Sequence, residues 1–163
     1  MLFQDIIKSY FRYKTVIQSK FRSTSEGQAF AYLLLGCILH FCGRIPWLYN
    51  QAQHLHSEIP IVGNLTANFF GTAILAPFLF YLLGAVSRLV LRLMGWKVSW
   101  LNARVSLFWA ILITFPLSFL NGIVWAVTQS ESIHFIFQII ILGAFLGFWF
   151  KALYIAHKLY ISD

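Results

Sequence analysis

Apolar positions in this chain gather into long blocks, and polar residues are confined to short segments between them. Residues 26–43, 61–94, 103–127 and 133–160 form four apolar stretches. An α-helix rises 1.5 Å per residue, so stretches of this size match a hydrocarbon core about 30 Å thick. In lipid a backbone must satisfy its own hydrogen bonds, which makes each stretch a helix. The second runs past 30 residues, roughly 50 Å of helix. Its last turns, carrying Arg88 and Arg92 at i,i+4, should protrude into the headgroups, and Gly95 should cap it. Pro77 should kink this span; Pro116 falls near the middle of the third. Ser23 and Glu26 have capping-box spacing at the start of the first span. Its expected end is Gly43, with Arg44, Pro46 and Trp47 marking an interface before a polar loop over 48–60.

Ahead of the spans, residues 2–22 show a different pattern. Phe3, Ile6, Ile7, Tyr10, Ile17 and Phe21 recur at helical spacing, with Lys8, Arg12, Thr15 and Ser19 on the opposite face. Lys14 lies within the apolar face, where its stem can snorkel to the headgroups. This predicts an amphipathic helix lying in the membrane interface. The expected architecture is therefore all-α. A basic N-terminal helix over 1–24 precedes a four-transmembrane-helix bundle over 25–163.

Composition agrees. The chain is 60% hydrophobic and 10% charged, far below the quarter or so of charged residues in a soluble domain, so lipid must cover apolar surface that no core of 163 residues can hide. The net charge of +7 comes from basic residues flanking apolar blocks, which points to a membrane surface and excludes nucleic acid as a partner. The first 22 residues carry five Lys or Arg and no compact apolar run, so no cleavable signal is expected.

Charge also predicts orientation. Of 12 Lys and Arg, 11 fall on one side of a four-span arrangement, and only Arg44 falls on the other. The positive-inside rule then places both termini and the 95–103 loop in the cytoplasm. Trp47 and Trp125 would line the outer belt, and Trp96, Trp100 and Trp149 the inner one.

Chemistry-bearing residues are sparse at membrane depth. The five acids, Asp5, Glu26, Glu58, Glu131 and Asp163, all lie in ends or loops. That removes the buried carboxylate of a proton-coupled carrier and the carboxylate pair of acid–base catalysis. No catalytic residue, metal site or cofactor is expected. Cys37 and His40 share a helical face, and His54, His56 and His134 could approach in space, but Cys37 and His40 alone are too few ligands for a metal. Cys37 and Cys42 read as packing residues. Asn64, Asn68 and Thr72 share a face of the second span, with Asn121 on the third and Gln138 on the fourth. Such amides usually hydrogen-bond between helices for roughly 0.6 kcal/mol each; alternatively they line a polar cleft near the outer leaflet. Gly71 and the Gly143–Gly147 pair offer small patches for helix packing or for a partner. Lys8, Arg12, Lys14, Arg88, Arg92, Lys97 and Arg104 are the expected contacts to anionic headgroups.

The stretch from Cys42 to Leu55, Cys-Gly-Arg-Ile-Pro-Trp-Leu-Tyr-Asn-Gln-Ala-Gln-His-Leu, resembles the segment after the first span in bacterial members of the Yip membrane-protein family. Asn102-Ala-Arg-Val-Ser-Leu-Phe-Trp-Ala, followed by Pro116-Leu, is similar to the start of the third span there, and the likeness covers about 25–160. The resemblance implies a bacterial inner-membrane home and brings no catalytic residues. Eukaryotic members resemble a five-span design with a cytosolic arm and are implicated in trafficking with small GTPases. This chain has four expected spans and a short arm, so that link is not carried over.

The expected function is a non-enzymatic membrane protein that binds lipid, other integral membrane proteins or itself, as accessory subunit, assembly factor or membrane organiser. The alternative is an oligomeric transporter or channel subunit.

Overall fold

The structure, a computed structural model, describes the backbone of residues 2–54 and 61–162 and the side chains of 2–49 and 61–161. Every element is helical: α1 (Leu2–Ser23), α2 (Glu26–His54), α3 (Ile61–Phe70), a π-helical turn (Gly71–Leu75), α4 (Ala76–Leu93), α5 (Trp100–Thr128) and α6 (Glu131–Ser162). Four helical stretches are long and apolar enough to cross a membrane: Glu26–Tyr49, Ile61–Leu93, Trp100–Thr128 and Glu131–Ile161. The chain is an all-α bundle built for a bilayer. Its element order puts the bases of all four spans and the α4–α5 link at one end, here the terminal end. The tight α5–α6 turn, closed by Gln129 in the left-handed conformation at φ 49°, lies at the distal end.

α5 is the axis of the bundle. It touches α1, α2, α4 and α6, and it is buried without interruption from Val105 to Thr114. Backbones approach closely where α2 crosses it. A Cβ on Gly36 would stand 3.0 Å from Ile111 Cγ2, and one on Gly122 would stand 2.1 Å from the Gly43 carbonyl oxygen. Gly71, Gly143 and Gly147 have nothing within 4 Å of such a Cβ. The close approach of α2 and α5 therefore rests on Gly36, Gly43 and Gly122, and Gly84 stands close to Arg104 of α5, whereas Gly71, Gly143 and Gly147 mark no such close approach.

The ends of the spans depart from the sequence pattern for local reasons. Ser25 and Gln28 make the reciprocal capping box of α2, Ser25 N–H to Gln28 Oε1 at 3.0 Å and Gln28 N–H to Ser25 Oγ at 3.4 Å, in place of Ser23 and Glu26. α2 does not stop at Gly43 but runs through Pro46 to His54. Pro46 costs one backbone bond, while the extra turn buries Leu48 and lays Trp47 over His134 of α6 at 6.0 Å, with planes 3° apart. Ahead of Pro77 the second span widens into the π turn, and Ala76 N–H bonds to Gly71 O five residues back. Proline has no N–H and its ring crowds the carbonyl four residues earlier; the wider turn moves that carbonyl aside.

α1 is folded back on itself. Arg12 has non-helical φ −133° and ψ 48°, and the bend brings Lys20 Nζ to 2.7 Å from Asp5 Oδ2. In a straight helix those residues would stand about 22 Å apart. Ile6, Ser9, Tyr13, Val16 and Ile17 face the bundle, while Phe3, Ile7 and Phe11 are exposed. Ser9 Oγ accepts from Trp109 Nε1 at 3.1 Å, and the Tyr13 hydroxyl donates to Phe148 O at 2.8 Å. The Tyr10 hydroxyl donates to Ile113 O. Lys20 Nζ also lies 4.8 Å from the Trp109 ring centre.

Candidate functional site

Pro116 organises the middle of the bundle. It withholds an N–H from Leu112 O, and the carbonyls on either side each take a side-chain donor. Tyr10 bonds Ile113 O from one side, and His40 Nε2 bonds Ile111 O at 2.9 Å from another. A carbonyl only accepts, so His40 carries its proton on Nε2, and Nδ1 accepts from Ser118 Oγ at 2.7 Å. Thr114 Oγ1 donates to Ala110 O and Ile111 O at 3.0 and 2.9 Å. His40 is thereby locked between α2 and α5, and sequence spacing alone had only paired it with Cys37.

Beside this network opens a cavity of about 860 Å³ between α2, the second span, α5 and α6. His40, Thr114 and Ser118 border it toward the bundle centre, and Ala76, Phe80, Ile141, Leu142 and Phe145 give it an apolar wall. Gly71 and Thr72 bring the π turn to its edge. Toward the distal end its border is polar. Arg44, Asn68, Asn121, His134 and Gln138 are its polar lining residues there. The three intramembrane amides expected from sequence thus share one site. Asn68 Nδ2 bonds within its own helix, to Asn64 O at 3.0 Å and Oδ1 at 2.8 Å, and so does Gln138, to His134 Nε2 at 3.2 Å. Asn121 alone of the three bonds across helices, its Oδ1 accepting from His134 Nδ1 at 3.2 Å.

The ring of His134 is held on all sides: by Asn121 and Gln138 in its plane, by Trp47 on its face, and by Trp125 in an edge contact at 5.1 Å. Arg44, whose guanidinium carbon lies 5.6 Å from the Trp47 ring centre, completes a column of Arg44, Trp47 and His134. The signal for this column in the sequence was faint. The arginine stood out as the one basic residue away from the terminal end, but nothing local tied it to His134 ninety residues later.

Among the described residues no three of His, Cys, Asp and Glu come together as metal ligands. His56 and Glu58 lie outside the described residues. Cys37 is buried, Cys42 is exposed, and both are free thiols.

The basic residues at the terminal end divide. Lys8, Arg12, Lys14, Arg92 and Lys97 are exposed. Arg88 lies over Trp100 at 4.3 Å. Arg104 is engaged internally: its Nη1 pairs with Glu26 Oε2 at 2.7 Å and its guanidinium lies over Tyr81 at 5.5 Å.

These features define an all-α membrane protein with a polar-bordered cavity in its distal half. No protein-family model, curated protein or solved structure matches the chain.

Proposed function

We propose that this chain is a non-enzymatic membrane protein that holds lipid in the distal cavity and works as an accessory subunit, assembly factor or membrane organiser. One observation carries the reading: about 860 Å³ of space within the spans, apolar on one wall and polar at one end. Ligand sites commonly measure roughly 300–1,000 Å³ and combine such a wall with a few convergent polar groups. An amphiphile matches that division. The exposed Lys8, Arg12, Lys14, Arg92 and Lys97 add a second, surface attraction to anionic lipid at the terminal end. In this proposal both termini face the cytoplasm of a bacterium, in keeping with the Yip-type resemblance.

The test is purification in mild detergent followed by mass spectrometry of co-purifying lipid. Gly71→Phe fills the cavity edge from a position where a new Cβ meets nothing within 4 Å. Stoichiometric lipid in the wild type, lost in Gly71→Phe, supports the reading. Equal lipid in both proteins, or none in either, rejects it. A pull-down from native membranes in the same detergent identifies any partner subunit.

A second reading, transport, is favoured by the π turn and Pro116 beside the cavity, since such interruptions let helices bend. It predicts flux in liposomes that falls on Asn68→Leu or Asn121→Leu. No flux of any solute class tested would discard it.

A further inference from the structure

The charge pattern of the cavity narrows its occupant. Arg44 is the one Lys or Arg among the described lining residues, and no Asp or Glu is among them. Two ion pairs join described residues, Lys20 with Asp5 and Arg104 with Glu26, and among the described residues Arg44 has no carboxylate partner. Arg44 is exposed at the rim, where its guanidinium can pair with an anion seated beside the apolar wall.

The neighbours of Arg44 are donors too. His134 occupies the Oδ1 of Asn121, which leaves that amide's N–H groups with no partner among the described residues. Gln138 spends one N–H on His134 and keeps a second. His134 lies in the first turns of α6, where the partial positive charge of the helix N-terminus is met by the Glu131 carboxylate, so the positive charge of the site rests on Arg44. Trp47 contacts both the Arg44 guanidinium and the His134 ring, and Arg44, Asn121 and Gln138 all border the same cavity. A planar guanidinium fork flanked by amide donors suits a phosphate oxygen pair. The apolar wall, ending at Phe80 and Phe145, suits an acyl chain.

We infer that the cavity selects an anionic phospholipid, with its phosphodiester on Arg44, Asn121 and Gln138 and a chain reaching toward Phe80 and Phe145. This rests on the lipid-holding reading above and adds the sign of the headgroup.

The experiment measures retention of phosphatidylglycerol against phosphatidylcholine of the same chains, by native mass spectrometry of the full chain in neutral detergent. A glycerol phosphate competition arm is included. The wild type should prefer the anionic lipid by about tenfold, because the choline ammonium offsets the charge of the same phosphodiester beside Arg44. Arg44→Gln should lose about tenfold in phosphatidylglycerol retention and with it the preference, and Arg44→Lys should keep part of it. A thermal unfolding midpoint in detergent equal to that of the wild type shows that the variant is folded. Equal binding of both lipids by the wild type would overturn the inference while leaving the cavity reading intact. So would a preference that survives Arg44→Gln, which would trace to the basic terminal end. Displacement by millimolar glycerol phosphate would assign the seat to a soluble anion and also overturn it. Lipid retention unaffected by Gly71→Phe is the separate result that removes the cavity reading itself.

Discussion

At the scale of single residues, the bundle depends on places where a side chain is missing or a carbonyl is spare. Gly122 stands so close to the Gly43 carbonyl that any Cβ must push α2 and α5 apart. Gly122→Ala should lower stability by about 1–3 kcal/mol, the usual scale of overpacking. Gly147→Ala should leave it unchanged, since nothing lies within 4 Å there. Thermal unfolding in detergent separates the two. His40 offers a complementary case. His40→Leu strips Ser118 Oγ of its acceptor and Ile111 O of one of its two side-chain donors, and should cost about 1–3 kcal/mol. Ser118→Ala should cost less, because His40 keeps its bond to Ile111 O. None of this could be read from sequence. A G-x-x-x-G is visible as a pattern, whereas Gly36, Gly43 and Gly122 matter only because two helices cross there. His40 matters because Ile111 O and Ser118 Oγ, both on another helix, meet its two ring nitrogens.

Among the elements, the four spans follow directly from the hydrophobic pattern, because lipid enforces helix on any apolar run of that length. Their ends were less legible. Pro46 carries a stop signal that the burial of Leu48 and the stacking of Trp47 outweigh. α1 departs furthest from its pattern. Helical periodicity continues through Arg12, yet the chain turns back there, since the contacts that favour the bend come from α5, α6 and the Asp5–Lys20 pair. The Lys20 hydrogen bond holds the Asp5 carboxyl below its ordinary value, and burial opposes this only in part. A carboxyl lowered in the folded state contributes stability above its unfolded value, about 3.9, and loses it as pH falls through the folded one. Proteolysis within α1 should therefore accelerate below about pH 4, and Asp5→Asn should remove that dependence. Cleavage that stays flat from pH 7 to pH 3 would contradict the role of the pair.

For the whole molecule, the terminal half is filled and the distal half is hollow. Val105 to Thr114, with Trp109 and Phe108 fully buried, plug the first under α1. The cavity opens where α5 passes Pro116. Deleting residues 2–23 should leave the spans helical but uncover Trp109, Lys20's ring partner, and raise its quenching by water-soluble acrylamide; unchanged quenching would show that α1 shields nothing. The all-α class was readable from the sequence, but the central place of α5 was not. Every span is apolar all round, so periodicity does not reveal which face meets a helix and which meets lipid. The bent first helix has one more consequence, in time. Its acceptors and donors, Trp109, Ile113 and Phe148, lie about a hundred residues or more downstream. As the chain leaves the ribosome, α1 emerges before its seat and can dock only after α5 and α6 have been inserted. Docking of α1 is thus a mark that these two spans are in place. Until then its exposed aromatic and basic residues stay free for a chaperone or for the quality-control proteases that remove unfinished membrane proteins.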